Sequence, residues 1–152
     1  MARVYAFEGE NNTTLEWMPL EVRRKSDLAG VRMSLAAWQA MPKDDRARLV
    51  AAEVATPEDV EAFRALATSL GEKAIGKVDA VVPVPFDARP WATDAARDEV
   101  VRRAHACGIA LDPARWAALD DHARYALFRL SDPKKSEDKL RAALVEVGMT
   151  TP

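Results

Sequence analysis

The sequence predicts an all-α protein made of two similar multi-helix halves, and two observations carry that expectation. First, a stretch of the chain recurs. Residues 22–50 and 100–128 align at a constant offset of 78, with Val22/Val100, Arg24/Arg102, Gly30/Gly108, Ala36/Ala114, Trp38/Trp116, Ala40/Ala118, Arg46/Arg124 and Leu49/Leu127 identical. Unrelated segments of this composition would share about two residues. Lys25/Arg103, Val31/Ile109, Met33/Leu111, Met41/Leu119 and Val50/Phe128 are conservative pairs at the same spacing. A fixed internal period points to a duplicated helical unit. Second, Ala, Arg, Asp, Glu and Leu dominate, and helix start and stop signals punctuate both halves.

Taken in order, residues 1–16 turn from Val4, Tyr5 and Phe7 to a polar run, which reads as an extended arm. Pro19 suits the first turn of a helix that ends at Gly30, where a left-handed residue is needed. Ser34 is an N-cap for a short helix carrying Trp38 and Met41. A break near Pro42 leads to a third helix with Leu49 and Val50 facing inward. Thr56-Pro57-Glu58-Asp59 is the clearest helix start, with a cap, a proline at the first position and acids in the first turn. Val60, Phe63, Leu66, Ala67 and Leu70 keep helical spacing to Gly71, expected to close the element. Residues 78–86 are apolar and β-branched, but Pro83 and Pro85 argue against regular pairing, so 72–90 reads as an extended connector. In the second half, Thr93 or Asp94 is expected to cap a helix ending at Gly108. Asp112-Pro113 opens the Trp116 helix, Asp120-Asp121 the next, and residues 131–135 form a loop. Ser136 then starts a last helix ending at Gly148, matched to Gly71. The expected organisation is a single domain, 1–152, with repeat 1 at about 17–71 and repeat 2 at about 91–148.

The chain has 152 residues and a net charge of -2. A chain of this length buries a real core. Neither half is a polycation, which disfavours nucleic-acid binding through bulk charge. Cys107 is the single cysteine, so no intrachain disulfide forms, and with two histidines it cannot build a usual structural zinc site. No signal peptide and no membrane span of roughly 20 apolar residues is expected. The expected location is the cytoplasm.

No catalytic signature is present: no G-x-S-x-G, P-loop, H-E-x-x-H or C-x-x-C. The chain is therefore expected not to be an enzyme and to hold no metal or cofactor of its own. His122 reads as a surface histidine near a helix start, and Cys107 as a small buried thiol. Trp38 and Trp116 each follow a cap by four residues, where a large ring plugs the core of its own repeat. Arg46 and Arg124 fall on helices whose other repeated positions are apolar, so a carboxylate or helix carbonyls should tether them. Structural anchoring is favoured for both over ligand binding. The basic clusters Arg23-Arg24-Lys25 and Arg102-Arg103 occupy matching positions and are candidates for a partner surface; the competing reading is that they answer local acids such as Glu21, Asp27, Asp98 and Glu99. A helix ending in Gly before a second helix also suggests a helix-turn-helix. The residues of that second helix, however, are poor in base-reading side chains.

Phe7-Glu8, Met18-Pro19, Val22-Arg23 with Lys25 and Asp27, Gly30, Leu35, Trp38, Arg46 and Leu49 form a pattern with Trp116, residues 126–131 (A-L-F-R-L-S) and Gly148. In that order they resemble the nitrate reductase associated protein family over about residues 5–148. The resemblance implies a non-catalytic accessory or maturation factor needed for an active assimilatory nitrate reductase, itself a carrier of molybdenum cofactor and an iron–sulfur cluster. It implies a protein partner, that reductase or another molybdoenzyme apoprotein. The residues alone keep two alternatives open: a carrier holding an anionic small molecule or cofactor between the repeats through Arg46 and Arg124, and, further down, a DNA-binding regulator.

Overall fold

Local chemistry sets most helix boundaries in the computed structural model, which describes residues 3–149. These residues are mostly helical and fall into two compact units: residues 3–4 with Glu8–Asp87, and Tyr5–Phe7 with residues 88–149. Residues 1–2 of the expected arm and 150–152 of the expected domain lie outside the described residues.

The first unit holds α1 (Glu10–Thr13), α2 (Leu20–Ala29), β1 (Val31–Arg32), α3 (Leu35–Ala40), α4 (Lys43–Ala51), α5 (Pro57–Ile75) and β2 (Asp79–Ala80). The arm is not extended. It folds into a 3-10 turn, Ala6–Glu8, and the single turn α1. Its Glu8 is buried and accepts the Leu20 amide at 2.8 Å, supplying the cap that Pro19 cannot. Gly30 ends α2 in the left-handed conformation (φ 71°), and Ser34 Oγ accepts the Ala37 amide to start α3. Thr56 and Asp59 cap α5 reciprocally, so that two orphan amides are satisfied. Helices α2, α3 and α4 pack on α5. Val22, Trp38, Leu49, Phe63 and Ala67 form much of the buried interior.

Two further expectations fail in this unit. Gly71 does not end α5, which runs on to Ile75 and terminates at Gly76 (φ 82°). Gly71 lies inside the helix because a Cβ there would collide with Val78 Cγ2, so its role is close packing rather than termination. It therefore does not mirror Gly148. The prolines of residues 78–86 also do not prevent pairing. Asp79 and Ala80 pair antiparallel with Arg32 and Val31, and the Val81 and Val84 amides bond the carbonyls of Gly30 and Asp27, both at 2.9 Å. Pro83 and Pro85 fall at positions that donate nothing to this ladder. The segment expected to cross as a connector is thus docked on α2 and α5 as far as Val84.

The second unit holds α6 (Asp98–Ala106), α7 (Pro113–Ala118), α8 (Asp121–Leu130) and α9 (Glu137–Glu146). Asp112, Asp120 and Ser136 are side-chain caps as expected. Helix α6 starts later than Thr93 or Asp94, because the Thr93 hydroxyl bonds Ala95 O at 2.6 Å instead of capping a helix. Helices α6 and α8 pack on α9 around Val100, Ile109, Trp116, Leu127, Leu140 and Leu144. Tyr5–Phe7 belong here through Glu146, whose two carboxylate oxygens accept the Ala6 and Phe7 amides at 2.9 Å each. His122 is buried and stacked on Tyr5, with ring centroids 4.9 Å apart, and is not a surface residue. It falls in the inward stripe with Ala123, Ala126 and Leu130.

Leu20, Leu35 and Lys43 begin α2, α3 and α4, and Asp98, Pro113 and Asp121 begin α6, α7 and α8, 78 positions later in each case. Gly30 and Gly108 are left-handed alike (φ 71° and 80°), but their surroundings differ. A Cβ on Gly30 would lie 2.7 Å from Val81 O and 3.1 Å from the Pro83 ring, whereas one on Gly108 meets nothing within 4 Å. Gly108→Ala should therefore cost only the left-handed strain, about 1–2 kcal/mol. Gly30→Ala adds overpacking against backbone and should cost about 2–4 kcal/mol. Equal denaturation midpoints for the two variants would contradict the docked position of residues 81–83.

Candidate functional site

Each unit contains a tryptophan and an arginine that converge on one backbone carbonyl. In the first, Trp38 Nε1 donates to Leu15 O at 2.8 Å and Arg46 Nη1 to the same oxygen at 2.9 Å. Arg46 Nη2 and Nε reach Gln39 O and Met41 O, at 2.8 and 3.1 Å. In the second, Trp116 Nε1 and Arg124 Nη1 donate to Thr93 O at 3.0 and 3.4 Å, and Arg124 Nη2 and Nε to Ala117 O and Trp116 O at 3.1 and 3.3 Å. The Arg124 guanidinium also lies 5.5 Å from the Trp116 ring centroid. Both indoles are buried. The two arginines answer orphan carbonyls at the C-terminal ends of α3 and α7, where the helix dipole favours a cation. Each guanidinium spends all three of its nitrogens on backbone.

The candidate partner residues separate. Arg24 is 7% exposed and Lys25 1%, so Arg23-Arg24-Lys25 is not a surface cluster. Arg24 pairs with Glu21 at 2.8 Å and Lys25 with the same carboxylate oxygen at 3.2 Å. Lys25 Nζ also donates to Leu49 O and Val50 O, at 3.2 and 2.6 Å, and so caps the end of α4. Burial holds its pKa below the ordinary lysine value, against the opposing pull of Glu21. Half-buried Asp27 contributes its carbonyl to Val84. Arg102, by contrast, is exposed and pairs with Glu99 at 2.8 Å. Arg103 bonds Lys135 O at 3.0 Å and lies 3.4 Å from Glu137. The reading that this cluster answers the local acid Glu21 fits its spacing of three and four residues from Arg24 and Lys25, but the burial of all three side chains was not foreseen. Sequence reasoning also missed Glu8, whose partner lies 12 residues away.

A cleft of about 260 Å³ lies within the first unit, lined by Gly30, Val31, Arg64, Thr68, Val78 and Val81 among others. Arg64 Nε donates to Ala29 O at 2.7 Å, so this cation also answers a helix end. Neither Arg46 nor Arg124 lines the cleft.

The model of the conserved nitrate reductase-associated protein family matches residues 4–147. The chain belongs to that family. No curated protein and no solved structure matches it. In this nitrate reductase-associated protein, no group of three His, Cys, Asp or Glu among the described residues is placed to hold a metal ion. No described helix is long and apolar enough to cross a membrane.

The buried cluster sets a test of this family member. Glu21→Gln leaves two buried cations without their carboxylate and should cost about 3–5 kcal/mol. Because burial lowers the Lys25 pKa in the folded state, the unfolded chain binds the extra proton between the two pKa values. The stability of the native protein relative to Lys25→Met should therefore rise as pH increases through that window and level off above the ordinary lysine value. Urea titrations at several alkaline pH values measure the difference. A relative stability that falls with pH would mean that the Glu21 carboxylate outweighs burial and raises the Lys25 pKa.

Proposed function

We propose that this chain is a non-catalytic accessory factor that binds and helps mature an assimilatory nitrate reductase, or another molybdoenzyme, as apoprotein. The observation that carries the reading is family membership over residues 4–147. The side chains add to it: Arg24, Lys25, Arg46, Arg102, Arg103 and Arg124 are each bonded to a backbone carbonyl or to a neighbouring carboxylate. Such a chain offers shape and surface rather than a reactive centre. We place its action in the cytoplasm. We also infer that its two units descend from one duplicated helical module joined by the Pro-containing segment, because helix starts and Trp–Arg carbonyl clamps recur at the same offset of 78.

The carrier reading is weaker on specific grounds. It needs Arg46 and Arg124 to face an anion, but their donors are committed to carbonyls in their own units. The regulator reading needs a recognition helix, but α3 and α7 have six residues each and bury their tryptophans. Affinity capture with the tagged chain from nitrate-grown cells, followed by mass spectrometry, tests all three. A molybdoenzyme subunit is the expected product. Recovery of a small molecule without protein would favour the carrier, and recovery of DNA the regulator; either would overturn the proposal.

A further inference from the structure

Of the four tryptophans, Trp38, Trp91 and Trp116 are buried, while Trp17 is 49% exposed. An exposed indole is a candidate for a binding surface, because tryptophan is enriched among the residues that carry most of the binding energy at interfaces. Its setting here is specific. Trp17 lies two residues after Leu15, the one described non-glycine residue with positive φ (65°). A leucine in that region is strained, because its Cβ crowds the following carbonyl oxygen. The strain is held by Trp38 and Arg46, both of which grip the Leu15 carbonyl. The Trp17 amide is tied to Asn11 O at 3.0 Å, so the backbone that presents the ring is fixed at both ends. Strain retained by surrounding structure is a mark of functional positions.

The second unit supplies an internal comparison. Its carbonyl clamp is the same, but Thr93 replaces Leu15 without positive φ, and Ala95 replaces Trp17. The clamp therefore does not itself require a strained leucine or a tryptophan. Next to Trp17, Gln39 Nε2 bonds Glu16 O at 3.4 Å, which brings the outer face of α3 beside the loop. That face exposes Leu35, Ala36, Gln39 and Ala40 and carries no charge. Residues 9–20 contain Glu10 and Glu16, both exposed, and no basic residue. The surface is thus an apolar anchor with an acidic border.

We propose that Trp17 is the anchor of the protein-docking surface of this chain, and that it enters an apolar pocket bordered by basic side chains on the partner. The assignment rests on the docking reading given above and names the surface for it. The test titrates the purified chain against purified apoprotein of the host's assimilatory nitrate reductase at two salt concentrations. Trp17→Ala should weaken association at least about 30-fold, the usual effect of truncating a hot spot. Glu16→Lys, an exposed change that leaves the fold intact, should weaken it too and flatten its salt dependence. Val145→Ala, an exposed apolar change in the second unit, should leave it unaltered. If the native chain binds and both Trp17→Ala and Glu16→Lys bind equally well, the surface is wrong and the docking reading stands. If the native chain does not bind the apoprotein, both fall. If the native chain sediments as a dimer that Trp17→Ala dissociates, the occupant is a second copy and the partner assignment is overturned.

Discussion

The structure depends on one constraint: a buried indole N–H needs an acceptor, and an irregular segment passing over an indole needs a donor for its carbonyl. Each need answers the other. Leaving either group unpaired in a dry interior would cost about 1–3 kcal/mol. In the first unit the acceptor is Leu15 O and in the second Thr93 O, and each takes an arginine as well. The arginine comes from the following helix and reaches back to the last carbonyls of α3 or α7. One side chain thereby fixes the approach of the preceding segment, the end of a short helix and the start of the next. A six-residue helix has little stability of its own. Here it is held at its end by a guanidinium and in its middle by a tryptophan.

The pair Glu21–Arg24 and the pair Glu99–Arg102 stand at the same offset and have the same 2.8 Å separation, but their surroundings are opposite. The first is buried and the second exposed. An exposed pair contributes little, because water and salt screen it. The buried pair carries a desolvation cost that good geometry only offsets. It is tolerable because Lys25 joins the same carboxylate and directs its remaining donors to the carbonyls ending α4, where the dipole is negative. Two cations thus face one carboxylate and one helix end. The cluster joins α2 to α4 and takes Arg24 and Lys25 out of the surface.

What could be read from the sequence was local. The caps Ser34, Thr56, Asp112, Asp120 and Ser136 bond amides two or three residues ahead, and Gly30 needs only its own backbone conformation. Residues whose meaning is set by a distant neighbour misled. Gly71 looks like a terminator until Val78 is packed against it. His122 looks solvated until Tyr5 is stacked on it, from 117 residues away in the chain. Arg24 and Lys25 look like a charged surface because a run of cations is usually one. Helix α2, however, is buried on most of its circumference, and the hydrophobic pattern of a polar helix does not announce that. The same limit governs the candidate surface: Trp17 was visible as a letter, but its exposure and the strained leucine before it are tertiary facts.

Identity between the two units follows from satisfaction within them. Trp38/Trp116 and Arg46/Arg124 are shared, and each is fully engaged inside its own unit; Val22/Val100 and Leu49/Leu127 are shared core positions. Positions that differ, such as Leu15/Thr93, Trp17/Ala95 and Leu35/Pro113, lie on or beside the surface. On the inferred duplication, a second copy of the skeleton lets one unit keep the unstrained form of the clamp, on Thr93 O, while the other takes on strain at Leu15. The repeat that reveals the fold is for this reason a poor guide to the site. Shared buried residues such as Trp38/Trp116 and Leu49/Leu127 are held by packing that the two units have in common, whereas Ala36/Ala114 and Ala40/Ala118 are exposed in both. A residue that serves a partner needs to be present only once, and in this chain the exposed tryptophan and the strained leucine are present only in the first unit.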